Sequence, residues 1–216
     1  MKKLVIFDLD GTLINSIADL AVAVNRALVA CGYPTHPEEA YGFMVGDGIR
    51  KLFERALPEA ERTEENIERI REHFMPYYEV HNADLSRPYE GICELLEELQ
   101  RRGVGLAVAS NKYHSATQKL IAHFFPTIGF SVVLGHREGV PTKPNPAIVE
   151  EILAHCGVAK SEVLYVGDTN VDMLTAKNAE VDVVAVSWGY RPRTELAAHN
   201  PMAIIDHPLQ LLDYLQ

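Results

Sequence analysis

The stretch Leu4–Leu13, which reads LVIFDLDGTL, decides the fold of this chain. Its first part, residues 4–7, is a continuous apolar run with β-branched residues, the pattern of a strand that is buried on both faces. Asp8, Asp10 and Gly11 follow the run directly. In open α/β sheets, ligands bind beyond the carboxyl ends of the strands. The stretch therefore predicts a buried parallel strand that ends in a polar site.

The same apolar signature returns along the chain. It occurs at residues 106–109, 132–134, 163–166 and 183–186, and in a weaker form at 203–205. Helical periodicity of apolar residues lies between most of these runs. This alternation of strands and helices predicts an α/β fold with a Rossmann-like, doubly wound parallel sheet.

The long interval between the first two predicted strands contains helical patterns instead of strands. They cover residues 17–30, 49–57 and 64–78, and Thr63 is a predicted N-cap for the last of them. Pro88 and Gly91 indicate a turn or loop where the chain leaves the helical interval before the next strand. We therefore predict an inserted α-helical cap domain at residues 16–87 and an α/β catalytic core formed by residues 1–15 and 88–216.

The composition excludes some classes of partner. The chain has 216 residues, of which 47% are hydrophobic and 23% charged, as expected for a globular protein with a real core. The net charge of −10 disfavours nucleic acid and anionic membranes as main partners. A small anionic substrate remains compatible, because a local cation and a bound metal can override the overall field.

Targeting and redox signals are weak. The apolar run after the N-terminal lysines is too short for a signal peptide, and no stretch reaches the length of a membrane span. The 3 cysteines are far apart and show neither metal-ligand spacing nor a disulfide framework. These features predict a cytoplasmic protein with reduced cysteines.

Polar motifs follow several of the predicted strands. They are Asp8–Leu13 after the first strand, Ser110-Asn111-Lys112 after the second, Lys143-Pro144 in the loop after the third, and Gly167–Asp172 after the fourth. Each motif taken alone is a common turn, helix cap or solvated loop. Together they fall at one edge of the predicted sheet, which favours a shared catalytic site.

These residue types suit phosphoryl transfer assisted by Mg²⁺. Asp8 and Asp168 are candidate metal ligands, because Mg²⁺ prefers oxygen ligands and neutralises the charge of a phosphoester. Asp8 can then attack phosphorus, and Asp10 can protonate the leaving oxygen and later activate water. Ser110 and Lys143 can stabilise the transferred oxygens.

Other residues have supporting roles in this hypothesis. Gly11, Thr12 and Asn111 are candidate phosphate-binding residues, with Gly11 allowing a close approach of the backbone. We expect Asp172 to orient the water ligands of the metal or to pair with Lys143. Arg50 in the predicted cap can bind a carboxylate or second anion of the substrate, or can lie on a solvated helix face.

The four motifs resemble those of the haloacid dehalogenase-like superfamily of phosphohydrolases, in the same order and over essentially the whole chain. Val45–Gly48, Val140–Pro144 and Trp188–Arg191 make the chain most similar to the phosphoglycolate phosphatase group. The resemblance implies that Asp8 is the nucleophile and Asp10 the general acid and base. It also implies that Mg²⁺ binds Asp8, the Asp10 carbonyl and Asp168, with the cap closing over the substrate.

The chain departs from its relatives in one helix terminus, where Ala179-Glu180 replaces a common Ala-Gly pair.

The expected partner is a small phosphorylated metabolite, with 2-phosphoglycolate as the leading candidate, and the expected assembly is a monomer or homodimer. A β-phosphoglucomutase-like mutase and a broad sugar-phosphate or pyrophosphate hydrolase remain open. Lys51 keeps a phosphonate-cleaving reaction open, whereas Asp10 disfavours dehalogenation. A phosphate-binding module without activity is disfavoured, because binding alone needs no nucleophile with an acid beside it.

Overall fold

Strand β1, Leu4–Phe7, lies at the centre of a parallel sheet, as its continuous apolar sequence predicts. The computed structural model describes residues 1–216. The sheet has 6 strands in the order β5-β4-β1-β6-β7-β8, and every neighbouring pair is parallel. The predicted α/β, Rossmann-like fold class is therefore confirmed.

The remaining strands are β2 (Ile14–Asn15), β3 (Arg87–Pro88), β4 (Gly105–Tyr113), β5 (Val132–His136), β6 (Val163–Gly167), β7 (Asp182–Val186) and β8 (Ala203–Ile205). The helices are α1 (Ile17–Ala30), α2 (Glu38–Tyr41), α3 (Ile49–Ala56), α4 (Glu64–His81), α5 (Ile92–Arg101), α6 (His114–Phe124), α7 (Ala147–Cys156), α8 (Asn170–Ala179) and α9 (Arg193–Ala197). None of the helices combines the length and apolar composition that a membrane span requires.

Both faces of the sheet are buried, which explains why its strands are apolar without alternation. Val5 and Phe7 belong to the apolar cluster that includes residues of α5 and α6. Leu4 and Ile6 point to the opposite face and pack with residues of α7 and α8. Because side chains alternate along a strand, one short run supplies both layers of the core.

Helices α1 to α4 have an apolar cluster of their own, separate from those on the sheet. Phe53, Phe74 and Tyr78 form an aromatic row in it, with ring centroids 5.0 and 4.7 Å apart. Thr63 accepts a hydrogen bond from the Asn66 backbone N–H at the start of α4, so the predicted N-cap is confirmed. A separate cluster is expected of a segment that can move as a unit.

The helical segment joins the sheet through two chain connections, which pair as the antiparallel strands β2 and β3. Asp19, at the start of α1, is buried, and its carboxylate accepts hydrogen bonds from the Leu85 N–H at 3.0 Å and the Ser86 N–H at 2.8 Å. The Ser86 hydroxyl donates a third bond at 2.6 Å. One carboxylate therefore attaches the returning chain to the outgoing helix.

Two details differ from the sequence patterns. Strand β4 continues to Tyr113, beyond its apolar run at residues 106–109, and its pairing with β5 is irregular between Ala109 and Tyr113. Glu180, where the family resemblance implies a glycine, adopts the left-handed conformation with φ 59°. The geometry of that helix end is thus kept despite a side chain that disfavours it.

We expect Asp19→Ala to lower the free energy of unfolding by about 3 kcal/mol, because it leaves buried backbone and hydroxyl donors without their charged acceptor. Urea denaturation followed by circular dichroism measures the change. Asp84→Ala is the matched control, since Asp84 lies in the same connection with its side chain 57% exposed. Equal and small losses in both variants would show that the Asp19 contacts contribute nothing to stability.

Candidate active site

The candidate site lies at the carboxyl ends of the central strands. Asp8 follows β1, Ser110 lies in the irregular part of β4, and Asp168 follows β6. Asp8, Asp10, Ser110 and Asn111 line one cavity between the sheet and helices α3 and α4. Parallel strands bring distant parts of the chain to a common edge, so the placement follows from the topology.

The Asp8 carboxylate is buried and accepts a hydrogen bond from the Lys143 ammonium at 2.9 Å. Burial raises the pKa of Asp8 to about 7, against the opposing attraction of Lys143 and with a further rise from Asp172. The Lys143 ammonium thus offsets only part of the free-energy cost of burying the Asp8 carboxylate away from water.

Lys143 joins three groups. Besides Asp8, its ammonium donates to the Asp172 carboxylate at 2.7 Å and contacts the Tyr165 hydroxyl at 3.1 Å. Burial alone would lower the pKa of Lys143, but Asp172 and Asp8 outweigh burial and hold it well above its ordinary value. Lys143 therefore stays charged, and its position is set by groups from several elements.

Asp172 uses its other oxygen to cap its own helix. That oxygen accepts hydrogen bonds from the Thr169 backbone N–H at 3.1 Å and from the Thr169 hydroxyl at 2.7 Å, which forms a capping box at the start of α8. Of the two roles expected for Asp172, the structure shows the pairing with Lys143. Both of its carboxylate oxygens are engaged within the protein.

Asp168 is fully buried and held from two sides. Its oxygens accept hydrogen bonds from the Thr12 hydroxyl at 3.1 Å and from the Tyr190 backbone N–H at 2.7 Å. Burial, Asp172 and Asp8 raise the pKa of Asp168 well above its ordinary value. Gly11, with φ 89°, and Gly189 approach this carboxylate so closely that a Cβ at either position would overlap it.

The acidic groups fit a bound divalent cation. Oxygens of Asp8, Asp168 and Asp172 lie within 4.8 Å of one another, and all three residues are buried. Only one ammonium, that of Lys143, pairs with this cluster, and like charges this close are costly without further positive charge. Asp172 is satisfied by Lys143 and Thr169, so Asp8 and Asp168 are the residues that would hold the cation. Their oxygens suit a hard ion.

Asp10 lies at the mouth of the same site, on the side of the helical segment. Its carboxylate accepts a hydrogen bond from the Ser16 hydroxyl at 2.5 Å, and both of its oxygens contact the Lys112 ammonium at 3.1 Å. The Tyr190 hydroxyl lies 3.1 Å from the Ser16 hydroxyl. Asp10 is thus oriented by an ion pair and a hydroxyl, apart from the Asp8–Lys143 group.

Sequence reasoning missed the roles of Lys112 and Tyr165. Lys112 lies within a quoted motif, two residues after Ser110, and its charge at a strand end was an available signal. Burial would lower the pKa of Lys112, but Asp10 and Tyr78 raise it above its ordinary value. The apolar pattern indicates only that Tyr165 belongs to a strand, although a phenol in such a run signals a buried polar partner.

The structure brings Asn111 to the site but uses its side chain within the protein. The amide donates to the Gly46 carbonyl at 3.0 Å and the Lys143 carbonyl at 3.2 Å, and accepts from the Lys143 backbone N–H at 2.9 Å. The expectation that this side chain binds phosphate is therefore corrected. Asn111 positions the Lys143 loop and the Gly46 loop of the helical segment.

Arg50 is not brought to the site. Its side chain is 52% exposed and forms ion pairs with Glu54 and Glu64 on the helical segment. The expectation that Arg50 binds a substrate anion is corrected, and the solvated helix face is what the structure shows. Helical periodicity alone does not indicate which side of α3 faces the cavity. In the structure, Ile49 and Leu52 of this helix line the cavity, and Arg50 does not.

Comparison with known proteins identifies relatives over the full length. The haloacid dehalogenase-like hydrolase family profile matches residues 5–186. A phosphoglycolate phosphatase of Haemophilus influenzae is 36% identical over 99% of this chain and 98% of its own. A phosphoglycolate phosphatase of Mannheimia succiniciproducens is 35% identical over 97% of this chain and 96% of its own. The crystal structure of a predicted phosphoglycolate phosphatase from Haemophilus somnus has a TM-score of 0.91 and 32% identity, covering 100% of this chain and 98% of that one.

We expect a divalent cation, with Mg²⁺ as the probe, to raise the thermal unfolding midpoint of the intact protein. A ligand that binds only the folded state adds about 2.7 kcal/mol at a concentration of 100 times its Kd. Asp168→Asn removes one of the two carboxylates that would hold the cation, so the shift should disappear. Differential scanning calorimetry with and without Mg²⁺ measures it.

Asp213→Asn, which removes an exposed carboxylate, is the control and should keep the full shift. An equal shift in the Asp168 variant and the intact protein would mean that the cation binds elsewhere.

Proposed function

The chain belongs to the haloacid dehalogenase-like hydrolase family, and from that premise we propose that it is a Mg²⁺-dependent phosphatase of a small phosphomonoester. The enzyme class is that of its relatives, the phosphoric monoester hydrolases. The observation that carries the proposal is the pair of carboxylates that follow β1, with Asp8 held by Lys143 and Asp10 held separately by Ser16 and Lys112. Two aspartates with different partners can take different chemical roles.

Asp8 is the proposed nucleophile. One of its oxygens is bound to Lys143, which leaves the other free to attack phosphorus and form an aspartyl-phosphate. Lys143 keeps the carboxylate in a fixed orientation while the ester approaches. A Mg²⁺ ion held by Asp8 and Asp168, with the Asp10 carbonyl as a further ligand, would supply charge neutralisation for the phosphoryl oxygens.

Asp10 is the proposed general acid and base. Its carboxyl group protonates the leaving oxygen as the ester bond breaks, and the resulting carboxylate then takes a proton from the water that hydrolyses the aspartyl-phosphate. Ser16 and Lys112 hold that carboxylate at the cavity, where both events take place. Ser110, which lines the same cavity, is the proposed donor to a phosphoryl oxygen.

We propose that residues 16–87 act as a cap over this site. Several of their contacts with the sheet domain are polar, among them Asn111 with the Gly46 carbonyl, Arg191 with the Gly42 and Val45 carbonyls, and Lys112 with the Tyr78 hydroxyl. Polar contacts of this kind can break and re-form when the cap opens for substrate. Closure excludes water from the aspartyl-phosphate site until a product leaves.

The proposed substrate is 2-phosphoglycolate. The relatives of similar length are named phosphoglycolate phosphatases, at 35 and 36% identity. The assay must measure both inorganic phosphate and the organic product, because a mutase on the same fold would return the phosphoryl group to its substrate instead of releasing it.

We expect Asp8→Asn to abolish release of phosphate from 2-phosphoglycolate, with a loss of at least about 10⁴-fold in kcat, because the amide is no nucleophile. Steady-state phosphate release in the presence of Mg²⁺ measures it, and chelation of the metal should also stop the intact enzyme. Asp213→Asn serves as the matched control. Activity retained in the Asp8 variant would overturn the assignment of the nucleophile.

We expect Asp10→Asn to separate the two half-reactions. With 2-phosphoglycolate the loss should be about 10²- to 10⁴-fold, since the alkoxide leaving group needs a proton. With acetyl phosphate, whose acetate leaving group needs none, attack by Asp8 should continue while hydrolysis of the aspartyl-phosphate is slow. Intact mass spectrometry should then detect one phosphoryl group per chain.

The double variant, in which Asp8→Asn is added, should carry no phosphoryl group. If the Asp10 variant hydrolyses acetyl phosphate as fast as the intact enzyme, Asp10 is not the base of the second step.

A further inference from the structure

Lys112 occupies an unusual position for a lysine. Its side chain is 6% exposed, and its ammonium contacts both Asp10 oxygens at 3.1 Å and the Tyr78 hydroxyl at 2.7 Å. Asp10 is already held by the Ser16 hydroxyl. Orientation of Asp10 therefore does not need both contacts from Lys112, and the burial of an ammonium for that purpose alone would be costly.

Lys112 is also the only cation that lines the cavity. Lys143 lies behind Asp8, where Asp8 and Asp172 engage it, and it does not line the cavity wall. The cavity lining towards the cap is otherwise largely apolar, formed by Leu20, Val45, Ile49, Leu52 and Phe74. A substrate group that extends from the phosphoryl site towards the cap meets one positive charge and one phenol in an apolar surrounding.

The size and polarity of the cavity restrict what that group can be. The space open to water-sized groups is about 60 Å³, and one water needs roughly 10–15 Å³ on that measure. A sugar would bring several hydroxyls against apolar side chains, where unpaired polar groups are costly. A short group that carries one anion matches the single ammonium.

We propose that Lys112, with the Tyr78 hydroxyl, binds a carboxylate on the alcohol part of the substrate and so selects phosphate esters of short 2-hydroxy acids. This inference rests on the proposed phosphatase function and names the residue that determines its substrate preference. The ammonium has three N–H donors, so it can keep one Asp10 oxygen and turn another donor to the substrate. Tyr78 belongs to α4 in the cap, so the bound carboxylate also joins the cap to the sheet domain.

The test compares two esters of nearly the same shape. 2-Phosphoglycolate carries the carboxylate, and isobutyl phosphate has an uncharged isopropyl group in its place. Selectivity is the ratio of kcat/KM for the first ester to that for the second, so any loss that both share through Asp10 cancels. We expect Lys112→Met to lower selectivity roughly 100-fold, the usual effect of removing one partner of a buried charge pair.

Three further variants make the outcome specific. Lys112→Arg keeps the charge and should retain most of the selectivity. Tyr78→Phe keeps the ring in its apolar cluster and should lower selectivity by about 5- to 10-fold, as expected for the loss of one hydrogen bond of ordinary net strength. Lys119→Met removes an exposed lysine of α6 and should change nothing.

The possible results distinguish this inference from the proposed function. If the intact enzyme hydrolyses 2-phosphoglycolate but Lys112→Met and Tyr78→Phe leave selectivity unchanged, Lys112 acts only through Asp10 and the inference is overturned. If the intact enzyme hydrolyses neither ester nor any other phosphomonoester, the proposed function itself fails. Thermal unfolding of each variant verifies folding, and Tyr78→Phe and Lys112→Arg decide the question if Lys112→Met does not fold.

Discussion

The Lys143 ammonium is the group on which the site depends. It lies between the carboxylates of Asp8 and Asp172, both buried, and contacts the Tyr165 hydroxyl. Removal of this one charge would leave two carboxylates in a low-dielectric setting without compensation, which is among the most costly changes in a protein interior. Much of the surrounding structure can be understood as what holds this ammonium in place.

Several elements help to hold the Lys143 ammonium in place. Asn111 bonds to both the backbone N–H and the carbonyl of Lys143, so β4 determines where the loop passes. Thr169 binds the remaining oxygen of Asp172 and caps α8 with the same contact. Glycines at 11 and 189 leave room for Asp168. The charged cluster therefore constrains the Lys143 loop, the start of α8 and the backbone at Gly11 and Gly189.

The helical segment of residues 16–87 contacts the sheet domain through polar groups that also lie at the candidate site. Asn111 binds the Gly46 carbonyl, and Lys112, which contacts Asp10, binds Tyr78. Neighbouring residues of β4 thus contact both the candidate site and the helical segment of residues 16–87. In the proposed function, such sharing is a physical route by which substrate favours closure of the cap, because both would contact the same side chains.

The sequence by itself determined the architecture and much of the site. Apolar runs identify the parallel strands, and parallel strands must place Asp8, Asp10, Ser110 and Asp168 at one edge. The neighbours of each side chain were decided only by tertiary structure. Arg50 lies on a solvated flank, Asn111 is engaged internally, and Lys112 faces the cavity, because helix orientation and loop docking place side chains that local patterns leave free. Periodicity reports which residues are buried, whereas the partner of a buried charge is set by segments far apart in the chain.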